Sequence, residues 1–222
     1  VQSLLCENER PYPLQGKPCA PFQKGKPRTP TALQLSYLQG VRRLLRINMF
    51  KIHRPPHYYL DETIYFISSS ALNKASFFDS GEKKIIIQNF LSECLRGFNC
   101  ELYAWTILPN HYHLLFKIAN GKDLTQFVRE LHSKSAIAIN KMDNKPGRQI
   151  WYNYWDTCIR SEKDFWMRFN YIYQNAVKHG YVRKMEDYKF SSYNYYLKNK
   201  GQEWLDSCFD LYPIVDFILD ND

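Results

Sequence analysis

Two histidines one residue apart, His111 and His113, stand in the run Leu108-Pro109-Asn110-His111-Tyr112-His113-Leu114-Leu115-Phe116. The run is rich in β-forming residues, and side chains two apart on a strand leave by the same face. Two imidazoles on one sheet face can ligate a single divalent ion, whereas two buried without partners leave ring nitrogens unsatisfied. On its own the pair is equally compatible with two packed histidines. Further along, Phe169-Asn170-Tyr171-Ile172-Tyr173-Gln174-Asn175-Ala176-Val177-Lys178-His179-Gly180 has helical spacing. Tyr171, Asn175 and His179 fall at i, i+4 and i+8 on one face, and Gln174 borders the stripe. A phenol becomes a nucleophile once its proton is lost, and an amide can complete a metal shell. In a chain with 17 tyrosines, Tyr171 is just as readily a packed residue with its hydroxyl at the rim.

Chemistry at these positions needs elements that bring a strand and a helix together. Residues 63–67, Thr-Ile-Tyr-Phe-Ile, predict a first strand. Residues 83–98 carry Ile86, Phe90, Leu91 and Leu95 at helical spacing, and residues 101–108 are again β-like. Pro109-Asn110 turns the chain into a third strand over 111–118, paired with the second as a hairpin. A helix over 124–139, a turn at 144–147, an aromatic strand over 150–159 and a helix over 162–179 ended by Gly180 complete the order β-α-β-β-α-β-α. The first six elements are the split βαβ arrangement, an α+β ferredoxin-like antiparallel sheet with both crossover helices on one face. The added helix then has the free face, the one expected to carry His111 and His113. Tyr152, Tyr154 and Trp155 on the fourth strand are candidates for stacking against bases.

The net charge of +8 is unevenly placed. Residues 1–57 hold ten Lys/Arg against two acids, leaving twenty of each sign in the rest. A positive arm on a neutral body suits a polyanion, because each neutralised phosphate releases counterions. Eight of the eleven prolines fall in residues 1–56, which marks this stretch as an extension. One helix is plausible over 31–50, with Arg42, Arg43 and Arg46 on one side, followed by Lys51 and Arg54; these five are the candidate DNA-binding cations. We therefore expect an extension over 1–57, a domain holding the histidine strand and the tyrosine helix over 58–200 and a C-terminal tail over 201–222. The six cysteines are scattered without a CxxC pair, unlike a disulfide framework or a zinc site. No apolar run is long enough to span a membrane, and a cytoplasmic protein is expected. A non-catalytic nucleic-acid-binding module of ferredoxin-like fold is the rival reading, weakened by the lack of a Gly-aromatic RNP strand.

The histidine strand and the Tyr171 to Val182 segment resemble the REP-associated tyrosine transposases, single-tyrosine relatives of the HUH endonucleases. Tyr188-Lys189-Phe190-Ser191-Ser192-Tyr193 is similar to the closing aromatic-Ser-Ser segment of that family, so the resemblance runs over residues 63–196. It implies that His111 and His113 are metal ligands, that Asn175 is the third, and that Tyr171 attacks a phosphodiester to give a 5′-phosphotyrosine. Imidazole with an amide oxygen suits Mg²⁺ or Mn²⁺, the latter being the better match for nitrogen. The implied partner is single-stranded or hairpin DNA, with the oligomeric state open between monomer and homodimer. Two departures stand out: the family has Asn-Pro where this chain has Asn175-Ala176, and the basic extension has no counterpart.

Overall fold

A computed structural model describes residues 59–214. The helix expected over 31–50 and the cations Arg42, Arg43, Arg46, Lys51 and Arg54 lie outside the described residues. The body runs β1 (Thr63–Ala71), α1 (Gly81–Gly97), β2 (Cys100–Ile107), β3 (His111–Ile118), α2 (Leu124–Met142), β4 (Trp151–Cys158) and α3 (Glu162–Lys178). The sheet order is β2-β3-β1-β4 with every neighbouring pair antiparallel, as the split βαβ reading requires. β1 is longer than its apolar run because Ser68, Ser69 and Ser70 continue the ladder, pairing with His113, Tyr112 and His111. Polar side chains hide such an extension from a reading based on hydrophobicity.

Alternation along the strands separates two cores. Tyr65, Ile67, Leu114 and Phe116 face α1 and α2, meeting Leu91, Leu95, Phe127 and Leu131. Ile64, Phe66 and Leu115 face the other way and meet Phe165, Phe169 and Ile172 of α3. The ladder between β2 and β3 slips between Leu102 and Ala104, so Tyr103 and Ala104 both belong to the α3 side. This bulge gives α3 an aromatic seat where strict alternation would leave a gap. Ser161 caps α3 by accepting from the Asp164 N–H at 3.1 Å, and Glu162 and Asp164 set negative charge against its positive end.

Residues beyond 200 are more than a tail. After α4 (Tyr193–Lys200), Gly201 takes φ 86°, a conformation open to glycine, and reverses the chain into α5 (Gln202–Leu211). Leu205 and Cys208 bury against the α3 side, and the Asn170 amide of α3 donates to the carbonyls of Cys208 and Tyr212, each at 2.8 Å. Among the described residues, no helix is long and apolar enough to cross a membrane.

Candidate active site

The register sets the imidazoles on the face beneath α3. His111 pairs with Ser70 and His113 with Ser68, and the two ring centroids are 5.1 Å apart. His111 is aimed by its neighbour. The Asn110 amide nitrogen donates to the Lys74 carbonyl at 3.1 Å, which turns its oxygen toward His111 Nδ1 at 2.6 Å. Nδ1–H then donates, and the lone pair of Nε2 faces Asn175 Oδ1 at 3.2 Å. Two lone pairs facing across that gap call for a proton or a cation between them. His113 is fully buried and neither of its ring nitrogens has a hydrogen-bond partner. Burial pushes its pKa well below the ordinary value, a proton on His111 or His179 and the Lys178 ammonium would push the same way, and the adjacent Asn175 amide opposes. A neutral ring with an available lone pair can serve as a ligand. Asn175 Nδ2 is likewise buried without a partner. Among the described residues no three His, Cys, Asp or Glu side chains gather as a ligand group; what meets here is two imidazoles and an amide.

Tyr171 comes to the same point from α3. Its ring meets His113 edge-on at 5.3 Å between centroids and Phe66 at 6.1 Å. Tyr173, two residues on, faces elsewhere: its hydroxyl is 2.9 Å from Ser192 Oγ and burial holds its pKa far above the usual phenol value. Tyr181 is exposed beyond the helix. The His179 ring lies 5.0 Å from that of His111, while Gln174 is exposed. Three residues that spacing did not single out complete the surroundings. Phe66 lies nearly parallel to His113 at 5.5 Å, with the Arg168 guanidinium 4.9 Å over the Phe66 ring. Arg168 is tied in turn to Asp164 at 2.8 Å. Lys178, from the last turn of α3, brings its ammonium within 5.8 Å of the Tyr171 ring centroid.

The aromatic-Ser-Ser segment clamps α3 to β2. Ser192 Oγ accepts from the Trp105 N–H at 3.0 Å and meets the Tyr173 hydroxyl. The hydroxyls of Tyr188 and Tyr196 donate to the carbonyls of Ile107 and Tyr103, both at 2.7 Å. The helix that carries Tyr171 is therefore fixed to the sheet by buried polar contacts as well as by apolar packing.

A ferredoxin-like sheet that carries paired imidazoles under a helix-borne tyrosine is what comparison with known proteins sets beside the tyrosine transposases. The model of the family described as "Transposase IS200 like" matches residues 66–175 of this chain. A REP-associated tyrosine transposase of Escherichia coli is 27% identical over 139 residues, which is 62% of this chain and 80% of that protein. A relative from Haemophilus influenzae, bearing the same family name, is 37% identical over 105 residues, 42% of this chain and 59% of its own length. A solved structure of a REP-associated tyrosine transposase bound to a REP hairpin superposes with a TM-score of 0.58 at 23% identity, covering 75% of this chain and 96% of that one. That likeness extends to the fold, including the sheet and its helices.

Proposed function

We propose that this chain is a tyrosine transposase, a metal-dependent endonuclease and strand transferase that cuts single-stranded DNA beside a hairpin through a 5′-phosphotyrosine on Tyr171. The observation carrying the reading is the convergence of His111, His113 and Asn175 under Tyr171, with lone-pair donors turned toward one another. The donors fit Mg²⁺ or Mn²⁺, and His111 Nε2, a ring nitrogen of His113 and Asn175 Oδ1 would hold the ion. When bound, such a cation supplies charge that neutralises phosphate oxygens and eases attack on phosphorus.

The remaining work falls to the chain's own groups. Tyr171 Oη forms the new bond to phosphorus, the bond from phosphorus to the 3′ oxygen breaks, and the proton given up by the phenol balances the one taken by the leaving 3′-hydroxyl. Lys178 sets positive charge beside the phenol ring, where phosphate and developing phenolate both carry negative charge. The ester energy is kept in the phosphotyrosine, so a second 3′-hydroxyl can reverse the step on another end. Attack on one strand needs a phosphate outside the duplex. The solved relative is bound to a REP hairpin. For this chain a hairpin with its single-stranded flank is the matching substrate, met in the cytoplasm on nucleoid DNA.

Incubation with a hairpin oligonucleotide and Mn²⁺ should give a protein–DNA adduct that survives denaturation. Tyr171→Phe should remove the adduct while hairpin binding stays. Binding with no adduct in the wild type would favour the non-catalytic module, and an adduct persisting in the variant would move the nucleophile to another tyrosine.

A further inference from the structure

The three β4 aromatics that the sequence offers for stacking, Tyr152, Tyr154 and Trp155, do not share a surface. Tyr154 faces the α1 and α2 side, its hydroxyl 3.5 Å from Thr125 Oγ1. Tyr152 sits at the irregularity of the β1–β4 ladder and is 63% exposed. Of the three, Trp155 is the one whose ladder position lies in a row with the imidazoles. The register makes this explicit: Thr106 pairs with His113, His113 with Ser68, and Ser68 with Trp155. Residues directly opposite one another in antiparallel strands project to the same side. One row therefore runs from His113 across Ser68 to Trp155, two strand spacings or about 10 Å in length.

Trp155 differs from the three tryptophans that stack on a neighbouring ring, and from Trp105, whose partnerless indole N–H is buried in the opposite core. Trp151 stacks on His132, Trp166 on Tyr212 and Trp204 on Tyr196. Trp155 is half-buried, and among the described residues it has neither a ring partner nor a hydrogen bond for its indole N–H. α3 packs over β2 and β3, so the row continues past the helix toward the edge strand. Between the imidazole and the indole lie Ser68 and, one row away on either side, Ser70 and Thr157, all half-buried. Small hydroxyl residues leave room above the sheet and offer hydrogen bonds to sugar and phosphate, while a flat indole offers a face to a base.

We propose that Trp155 is the stacking platform for the unpaired base next to the phosphate attacked by Tyr171, with the strand lying over Ser68. The proposal rests on the reading of the chain as a single-strand endonuclease and names how that site holds its substrate. A duplex cannot use the platform, because its bases are already stacked on each other. The site thus discriminates for a single-stranded flank by shape, with no base-specific hydrogen bond required.

The test uses the full chain as Tyr171→Phe, so that binding is read without cleavage. The probe is a DNA hairpin with a thymine-rich single-stranded flank, 2-aminopurine being placed at each flank position in turn. One position beside the cleavage point should be strongly quenched by the protein. Trp155→Ala should abolish that quenching and weaken flank binding about tenfold, Trp155→Phe should lose less, and an abasic residue at that position should cost the wild-type ring its advantage. A uniform response along the flank, or equal affinity of Trp155→Ala and its parent, would overturn the proposal. The scan on the parent protein needs no Trp155 variant, so a folding defect in Trp155→Ala leaves the test intact. Failure of the adduct assay in the unmodified protein is a separate outcome that strikes the endonuclease reading.

Discussion

Metal-binding imidazoles are ordinarily aimed by a hydrogen bond from the ring nitrogen that does not face the metal. In the proposed metal site His111 has this device in Asn110. His113 lacks it and instead lies flat on Phe66, which carries the guanidinium of Arg168. Phe66→Leu keeps most of the apolar volume but removes the flat face, so Mn²⁺ affinity followed by electron paramagnetic resonance should fall about tenfold, as for loss of a hydrogen-bonded support. Affinity equal to wild type would show that packing by α3 is enough to hold the ring. A second histidine gives a pH prediction. His132 stands 2.9 Å from the Tyr112 hydroxyl and 3.2 Å from Ser69 Oγ and stacks on Trp151, and burial holds its pKa down at about 3. Above ~6.5 the ring is neutral in both folded and unfolded chains; below that the unfolded chain takes a proton that the folded one refuses. Stability should therefore fall with pH between ~6.5 and the folded value, by ~1.4 kcal/mol per unit for this proton, and urea titrations at several pH values should show a shallower fall in His132→Gln. His111, His113 and Tyr171 were legible because strand and helix periods expose them. Phe66, Asn110 and Arg168 were not, since strand register, a turn contact and a cation–ring contact bring them to the site.

At the scale of elements, the sheet and its crossover helices could be read from alternating apolar runs, but three features could not. The serine half of β1 has no hydrophobic signature, the β2 bulge breaks the alternation it would be read by, and α5 has value only against a helix distant in sequence. The closing Ser-Ser segment belongs with these. Its sequence resembles a family motif, yet its role emerges only when Ser192 is seen joining the Trp105 backbone to Tyr173. Ser192→Ala leaves the buried Tyr173 hydroxyl and the Trp105 N–H without this partner, at a cost of about 1–3 kcal/mol measurable by chemical denaturation. Because Tyr171 and Tyr173 ride on one helix, the same variant should slow adduct formation at saturating hairpin DNA. A loss of stability with an unchanged rate of adduct formation would mean that the clamp holds the fold without placing the nucleophile.

For the whole molecule, the charge is divided between an extension that carries the entire net +8 and a body with equal numbers of each sign. The body supplies chemistry and the proposed stacking row, neither of which depends strongly on ionic strength. Attraction to the phosphate backbone should then come chiefly from residues 1–57, where we propose that Arg42, Arg43 and Arg46, with Lys51 and Arg54, contact DNA. Each contact to a single strand that is lost should reduce the slope of log affinity against log salt by about 0.7, so replacing Arg42, Arg43 and Arg46 together by Gln should flatten it by about two units. Fluorescence anisotropy with a labelled hairpin over a range of KCl concentrations reads that slope directly. Adduct formation at saturating DNA should be unaffected, because none of the three belongs to the donor set or to α3. An unchanged slope would move the electrostatic contact onto the body, to cations such as Lys178 that stand beside the reactive tyrosine, and would make binding and cleavage inseparable by mutation.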